Sequence, residues 1–220
     1  IEQMNGVGEF FKKIKNEIPD IIIENCSTGG SRLDTKMMSV TAMSSFSDAH
    51  ECVEVPVIAA NMQYLISPRQ SQIWCVLHEY FDKNHMKYVI ASGFLGRLCW
   101  SGTIDRLSDW QFEMLKNAEK FYERVSDIIK DGRSRIYRTD FINNRRPQGT
   151  QAIIRYSRDR SRILVVCHFF ESAKELAVEL DGDYEVESSL YDGGCELLGR
   201  KLKLNGEETS ANVVVLKASR

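Results

Sequence analysis

The sequence predicts an α/β protein, with the second half of a (β/α)8 barrel over 1–134 and an antiparallel β-sandwich domain over 135–220. Helical and β patterns alternate as far as Gly132, which is typical of a parallel sheet with crossover helices. Short strand-like segments then alternate with Asp-Gly, Asp-Gly-Gly and Asn-Gly turns, which indicates antiparallel pairing. Four strand–helix units are about half of a closed barrel, and the sequence begins at Ile1 rather than Met. We therefore expect the first half of the barrel to lie upstream.

The first region opens with a predicted helix over 2–18, where Phe10, Phe11 and Ile14 recur at helical spacing. The longest helix begins at Ser108, a predicted N-cap with Gln111 as its capping-box partner, and ends at Gly132. Between them the patterns predict, in order, a strand over 20–25, a strand over 37–43, a helix over 52–62 around Pro56, a strand over 64–67, a helix over 82–93 and a strand over 95–100.

The second region is a run of short strands rich in β-branched residues. A basic, proline-containing link over 133–150 marks the boundary between the two regions. The predicted strands are 151–156, 163–170, 174–180, 184–189, 202–204 and 212–217.

Composition limits the classes of partner. The chain has 220 residues, 43% of them hydrophobic, which is enough for a substantial core. A net charge of −2, from 29 basic and 31 acidic residues, gives no reason to expect nucleic acid or a membrane surface as partner. The 4 histidines show no metal-ligand spacing, so we expect neither a metal nor a cofactor.

Cysteine usage indicates a reducing compartment, and we therefore expect a cytoplasmic protein. The 6 cysteines are scattered without any C-x-x-C pair, which fits neither a zinc site nor a compact disulfide framework. Free thiols are the predicted state of Cys26, Cys52, Cys75, Cys99, Cys167 and Cys195.

Polar chemistry follows the first predicted strand directly. The segment 24–34 combines acidic, amide, thiol, hydroxyl and guanidinium groups with the pair Gly29-Gly30, and Ser47-Asp48 follows the next strand. Ligands bind at the carboxyl ends of strands in α/β folds. Glycines without a Cβ let the backbone approach such a ligand closely. The sequence therefore predicts a binding site at this edge of the sheet.

This segment resembles the α-galactosidases (melibiases) of glycoside hydrolase family 36 over about residues 15–130. The resemblance lies in Glu24-Asn25-Cys26-x-x-Gly29-Gly30-x-Arg32-x-Asp34, followed by Ser47-Asp48. It implies a retaining glycosidase that releases terminal α-linked galactose, with an α-galactoside as partner and a homo-oligomeric full-length protein. In such enzymes an aspartate after the fourth strand is the nucleophile, and an aspartate after the sixth is the acid/base.

By this resemblance Asp48 matches the acid/base, whereas Cys26, Thr28 and Gly29 match positions that contact the galactose hydroxyls. We also assign Arg32 to substrate binding, with pairing to Asp34 as its alternative. No Lys-x-Asp motif of the nucleophile type precedes Glu24, so we expect the nucleophile upstream of Ile1.

Two departures from the family pattern leave the sugar preference open. Ser31 replaces a third glycine, and Ser45 stands where a tryptophan is common. An N-acetylated galactose, or a transglycosylase acceptor, is therefore an alternative substrate.

Structural roles remain open for several of these residues. Asp48 could be a helix N-cap, Arg69 could anchor a loop or border the pocket, and His50 could face solvent or tune Asp48. Trp74 and Trp100 could stack on a sugar, although core positions are commoner for tryptophan. At the level of function, the alternative to an enzyme is a non-catalytic carbohydrate-binding or structural module.

Overall fold

A computed structural model describes residues 2–26, 29–49, 53–140 and 145–219. Within these ranges the first region holds one parallel sheet of 4 strands in the order β1-β2-β3-β4. The strands are β1 Glu24–Asn25, β2 Met43–Ser45, β3 Ser71–Leu77 and β4 Arg97–Gly102. The parallel arrangement predicted from the alternating pattern is therefore present in the described residues.

Helices connect and cover these strands, and side chains fix where two of them begin. Asp82 caps α4 by accepting a hydrogen bond from His85 N at 2.8 Å. Ser108 and Gln111 form the predicted capping box of α5. The helices are α1 Glu2–Glu17, α2 Thr35–Val40, α3 Val55–Met62, α4 Lys83–Gly93 and α5 Asp109–Asp131.

The strand predicted over 37–43 is wrong. Most of this segment forms α2, because the Asp34 carboxylate accepts a hydrogen bond from Met37 N at 3.0 Å and so caps a helix. Met37, Met38 and Val40 are buried at helical spacing. An apolar run of this length fits either a helix or a strand, and the cap decides between them.

The strand predicted over 64–67 is also wrong. Tyr64 and Leu65 lie in the turn after α3 and are 80% and 70% exposed. The strand is β3, Ser71–Leu77, which begins with polar residues and which the hydrophobic pattern did not reveal. The last predicted strand of this region, 95–100, overlaps β4 but begins 2 residues early, because Leu95 N bonds to Ser92 O in the turn after α4.

The second region folds into two antiparallel sheets. A 5-stranded sheet has the order β5-β6-β7-β12-β9, and a 3-stranded sheet has the order β10-β11-β8. All 6 predicted strands are found, and the structure also contains two strands that were not predicted, β5 and β10. The bounds are β5 Arg133–Arg138, β6 Thr150–Tyr156, β7 Arg162–Phe169, β8 Leu176–Glu179, β9 Tyr184–Ser189, β10 Cys195–Leu198, β11 Lys201–Leu204 and β12 Ser210–Ala218.

Two buried clusters hold these layers together. The first cluster joins the parallel layer to the 5-stranded sheet, and includes Ile73 of β3, Val125 of α5 and Val213 of β12. The second cluster takes side chains from both antiparallel sheets, such as Val165 and Leu202. Hydrophobic burial therefore fixes the C-terminal sheets against the helices of the first region.

Arg155 of β6 crosses the boundary between the layers and is only 1% exposed. Its guanidinium donates to Leu95 O at 2.9 Å, Ile129 O at 3.4 Å, Gln63 Oε1 at 3.2 Å and Ser134 Oγ at 2.8 Å. Burial lowers the pKa of Arg155 to about 10, so the group stays charged at neutral pH. A buried charge whose hydrogen bonds reach both regions fixes how the regions meet.

The fold is therefore mixed α/β, with one parallel sheet and two antiparallel sheets. Closure of a barrel and the name sandwich stay predictions. The division between residues 134 and 135 also stays a prediction, and strand β5, Arg133–Arg138, runs across it. Within the described residues, no helix combines the length and the apolar character that crossing a membrane requires.

Candidate active site

The candidate site is built from loops that leave neighbouring parallel strands at the same edge. Glu24 pairs with Met43, and Asn25 pairs with Ser44, so β1 and β2 end side by side. The segment after Asn25 therefore lies next to the segment after Ser45. The topology brings together the two polar motifs that the sequence separates by some twenty residues.

The two loops touch through the glycine pair. Gly29 has φ +60°, and a Cβ added there would lie 2.7 Å from Asp48 N and 3.2 Å from Asp48 Cγ. Gly30 has φ +98°, and its added Cβ would lie 2.6 Å from Phe46 O. Both the left-handed backbone and the close contact require glycine at these positions. The double glycine thus lets the first loop pack directly on the backbone that carries Asp48.

Buried hydrogen bonds hold the base of these loops. Asn25 is 4% exposed, and its Nδ2 donates to Arg32 O at 2.6 Å, which closes the first loop. Ser44 Oγ donates to Asn25 O at 2.7 Å and links β2 to β1 beneath the site. In the second loop, Ala49 N donates to Ser47 Oγ at 3.0 Å. Polar side chains at the strand ends therefore position the loops.

Asp48 is exposed at the edge of the sheet, whereas the neighbouring Phe46 is buried in the first cluster. The alternative role of Asp48 as a helix N-cap is not observed, since α3 begins at Val55 after Glu54. The Asp48 side chain is therefore accessible to solvent.

The other predicted binding residues lie on the loop after β1. Cys26 follows β1 directly and is exposed, as is Arg32. Arg32 forms no ion pair with Asp34, which caps α2 instead, so the pairing alternative is wrong. Thr28 lies outside the described residues, as do His50 and Cys52. The contact between Gly29 and Asp48 is the best-defined part of the predicted site.

The two tryptophans lie on opposite faces of the parallel sheet. Ile73 and Leu77 belong to the first cluster beneath the helices, so Gln72 and Trp74 point to the other face of β3. Trp100 of β4 packs against the first cluster, as its core alternative predicts. Trp74 instead lies on the face of the sheet that points away from the helices.

Arg69 is remote from this edge. It precedes β3 at the amino-terminal end, where its guanidinium lies 3.9 Å from the Asp131 carboxylate. There it lines a cavity of about 610 Å³ together with Arg97 and Lys130. The structure therefore favours the loop-anchor role of Arg69 over a place at the border of the site.

Sequence reasoning missed a further segment at the same edge. Residues 78–81, which we call the rim loop, follow β3 directly. Because β3 itself was not predicted, this segment was not expected at the end of a strand. The signal that could have found it is the aromatic sequence His78-Glu79-Tyr80-Phe81 just before the predicted helix 82–93.

The remaining site predictions concern metal ligands and cysteines. Over 2–26, 29–49, 53–140 and 145–219, no 3 residues among His, Cys, Asp and Glu come together as a metal site. Free thiols are found at all the cysteines in these ranges, as predicted: Cys26, Cys75, Cys99, Cys167 and Cys195.

Comparison with known proteins identifies the family. The sequence profile of the family described as Melibiase matches residues 1–132. This match covers more than half of the chain. The chain belongs to the Melibiase family, which confirms the resemblance found in the segment 24–34.

Individual relatives agree with this assignment. Alpha-galactosidase 2 of Pediococcus pentosaceus is 36% identical over 64 residues, which are 29% of this chain and 9% of that enzyme. The galactosidase domain of the α-galactosidase–sucrose kinase AgaSK superposes with a TM-score of 0.75 at 18% identity, over 96% of this chain and 31% of that one. The α-galactosidase AgaA of Geobacillus stearothermophilus, solved with raffinose, gives 0.74 at 21% identity, over 95% and 30% of the two chains.

The fold is shared more widely than membership of the family. An Anoxybacillus α-amylase superposes with a TM-score of 0.65 at 9% identity, over 97% of this chain and 56% of that one. The family match therefore carries the assignment. The chain spans about a third of the length of the solved galactosidases, as the 31% coverage of AgaSK illustrates.

Proposed function

We propose that this chain carries the acid/base half of a retaining α-galactosidase that releases terminal α-linked galactose from oligosaccharides or glycoconjugates. The observation that carries the proposal is the contact of Gly29 with Asp48, an added Cβ lying 2.7 Å from Asp48 N. It joins the galactose-contacting motif to the acid/base motif within a chain of the Melibiase family. Variants of AgaA, a structural relative, were solved with raffinose and with stachyose, which both carry terminal galactose.

In the proposed mechanism Asp48 first donates a proton to the leaving oxygen of the glycosidic bond. It then removes a proton from the water that hydrolyses the glycosyl-enzyme. Retaining enzymes need a second carboxylate about 5–5.5 Å away as nucleophile. We assign this nucleophile to a part of the parent protein outside these 220 residues.

The groups of the loop after β1 have the chemistry to orient a galactose ring. Arg32 supplies guanidinium donors, Cys26 supplies a small weak donor, and the backbone at Gly29 approaches without a side chain. No histidine is positioned by sequence to activate Cys26, so it has a binding role rather than a nucleophilic one. The four parallel strands belong, in this proposal, to a (β/α)8 barrel, and the antiparallel sheets form a sandwich.

The first prediction is that Asp48→Ala in the complete parent protein lowers turnover of raffinose by about 10²–10⁴-fold, the range of general acid–base assistance. An aryl α-galactoside has a good leaving group and needs less protonation, so its glycosylation step should suffer less. Added azide needs no deprotonation, so it should restore turnover and yield the α-galactosyl azide. Steady-state kinetics and product NMR measure these outcomes.

Asp34→Asn is the matched control, since Asp34 is exposed on the neighbouring loop but caps α2. It should lower the melting temperature slightly and leave turnover within about twofold, because an amide oxygen still caps a helix. Unchanged rates in Asp48→Ala, or a β-azide product, would overturn the assignment of Asp48. A wild-type parent protein that binds galactosides without cleaving them would favour the carbohydrate-binding alternative.

A further inference from the structure

The rim loop is held rigidly by one buried side chain. Gln111, in the first turn of α5, is fully buried, and its Nε2 donates to His78 O at 3.3 Å, Glu79 O at 3.2 Å and Phe81 O at 3.0 Å. The amide oxygen of Gln111 accepts from Ser108 N and Ser108 Oγ, so the amide orientation is fixed. A loop whose carbonyls share one anchored donor is preorganised before any ligand arrives.

Rings within the loop hold Tyr80 in place. The Tyr80 ring stacks on His78 with centroids 4.9 Å apart and an interplanar angle of 10°. The buried Phe81 meets it edge-on at 5.0 Å, and Phe81 itself stacks on His85 at 4.0 Å. Tyr80 is nevertheless 68% exposed, which is unusual for a ring so firmly supported. The ring is therefore contacted by His78 and Phe81, while most of the residue stays open to solvent.

Glu79, which precedes Tyr80, gives the rim loop a carboxylate, and Arg106 lies 4.0 Å from its Oε1. Thr103 Oγ1 donates to Glu79 Oε2 at 2.5 Å, and this hydrogen bond lowers the pKa of Glu79. The fixed carboxylate accepts hydrogen bonds from hydroxyl groups. An apolar ring face beside a hydrogen-bond acceptor matches a sugar, which presents C–H groups on one face and hydroxyls at its edge.

Strand β3, which leads into the rim loop, extends farther along the sheet than β2, which leads into the loop with Asp48. Ser45 pairs with Gln72, and β3 continues 5 residues beyond that level to Leu77. At 3.3 Å per residue, this extension amounts to about 16 Å. An enzyme that removes a terminal galactose encloses that ring near its acid/base and leaves the rest of the substrate pointing outward. A loop at the end of the longer strand suits the leaving part of the substrate better than the galactose.

We propose that the rim loop is an outer carbohydrate subsite, in which the Tyr80 ring stacks on a sugar of the leaving part of an oligosaccharide. This inference rests on the proposed galactosidase function and adds a determinant of chain-length preference. Tyr80 binds substrate but takes no part in bond cleavage.

The test compares two substrates in the complete parent protein: stachyose, which can reach the rim loop, and α-galactosyl fluoride, which has no leaving sugar. Tyr80→Ala should lower kcat/KM for stachyose about tenfold through KM, the scale of one aromatic contact, and should change the fluoride less than about twofold. Tyr80→Phe keeps the ring and should behave as wild type. Tyr64→Ala, which removes an 80% exposed ring after α3, is the matched control and should leave both substrates unchanged.

The outcomes separate this inference from the proposed function. A wild-type protein inactive on both substrates would overturn the galactosidase proposal itself. An active wild type in which Tyr80→Ala affects both substrates equally, or neither, would overturn the subsite. A Tyr80→Phe variant as poor as Tyr80→Ala would show that the hydroxyl, not the ring face, is responsible.

Discussion

Gly29 occupies a position where a methyl group would collide with the backbone of the proposed acid/base. Residues that carry a side chain rarely adopt its φ of +60°, and an added Cβ would lie 2.7 Å from Asp48 N. Substitution therefore has two separate consequences at this residue, backbone strain and displacement of Asp48. A second glycine in the chain allows the two to be separated.

We predict that Gly29→Ala lowers kcat/KM of the parent enzyme about a hundredfold, because a displacement near 1 Å disturbs catalytic geometry to that extent. Gly199→Ala is the matched control. Gly199 has nearly the same φ, +59°, but nothing lies within 4 Å of its added Cβ. It should lose about 1 kcal/mol of stability through strain and retain full activity. Equal activity losses in the two variants would refute the steric argument.

For individual residues, the sequence allowed prediction where the local chemistry requires one particular residue type. Gly29, Gly30 and Asp48 were predicted together from their motif, and the structure brings Gly29 against Asp48. The fate of Asp34 was not predictable, because a carboxylate can pair with Arg32 or cap a helix with equal chemical sense. Only the helical course of residues 35–40 decides between these roles.

At the scale of elements, the rim loop after β3 is held by a residue that is distant in sequence. Gln111 was predicted as a capping-box residue, and the structure confirms that role. Its Nε2 also serves three carbonyls of the rim loop, some thirty positions earlier in the chain. One side chain thus both starts α5 and shapes the loop after β3.

We predict that Gln111→Met destabilises the protein by about 3 kcal/mol, because buried carbonyls lose their donor. The stachyose KM should rise together with this loss, since the rim loop is released. Ser126→Ala is the control on the same helix. Its exposed hydroxyl donates only to Glu123 O, and its loss should change stability by less than about 0.5 kcal/mol. Urea unfolding and stachyose kinetics provide the two measurements, and an unaltered KM would contradict the proposed anchoring.

Element prediction failed where polar residues begin a strand. The start of β3, Ser71 and Gln72, is buried despite its polarity, at 2% and 8% exposure. Hydrophobic periodicity assigns such residues to loops, so the pattern placed the strand too early, at 64–67. The long helix α5 was predicted well, since its cap, its apolar face and its final Gly132 all agree.

For the whole molecule, the buried His168 makes stability depend on pH. It is fully buried between β7 and α4, where its Nε2 lies 3.1 Å from Ser92 Oγ and 3.3 Å from Tyr88 O. Burial lowers the pKa of His168 from 6.5 to about 3. Between these two values the unfolded chain binds a proton that the folded chain does not, so stability falls as pH falls.

We predict that the free energy of unfolding decreases by about 2 kcal/mol more in wild type than in His168→Gln when pH is lowered from 6.5 to 4.5. Urea unfolding at several pH values measures this difference. His85→Gln is the control, because His85 is only partly buried and should contribute a smaller slope. Parallel pH profiles for wild type and His168→Gln would show that another group is responsible.

The general architecture was predictable because alternation and turn signals act locally along the chain. The first cluster, which both regions share, and the buried position of Arg155 were not predictable, since they depend on how the two regions meet. A buried arginine has no signature of its own within a strand such as β6.

Arg155 also has a consequence for recombination between related enzymes. Its acceptors at Leu95, Ile129 and Gln63 come from the parallel layer, whereas Arg155 itself comes from β6. A crossover between residues 132 and 133 therefore separates a charged donor from its acceptors, although it cuts none of the strand pairings among the described residues. Hybrids that inherit Arg155 without Gln63 would contain a buried cation with an incomplete set of partners. The C-terminal sheets can therefore be exchanged only with a parallel layer that supplies Arg155 with a side-chain acceptor at position 63.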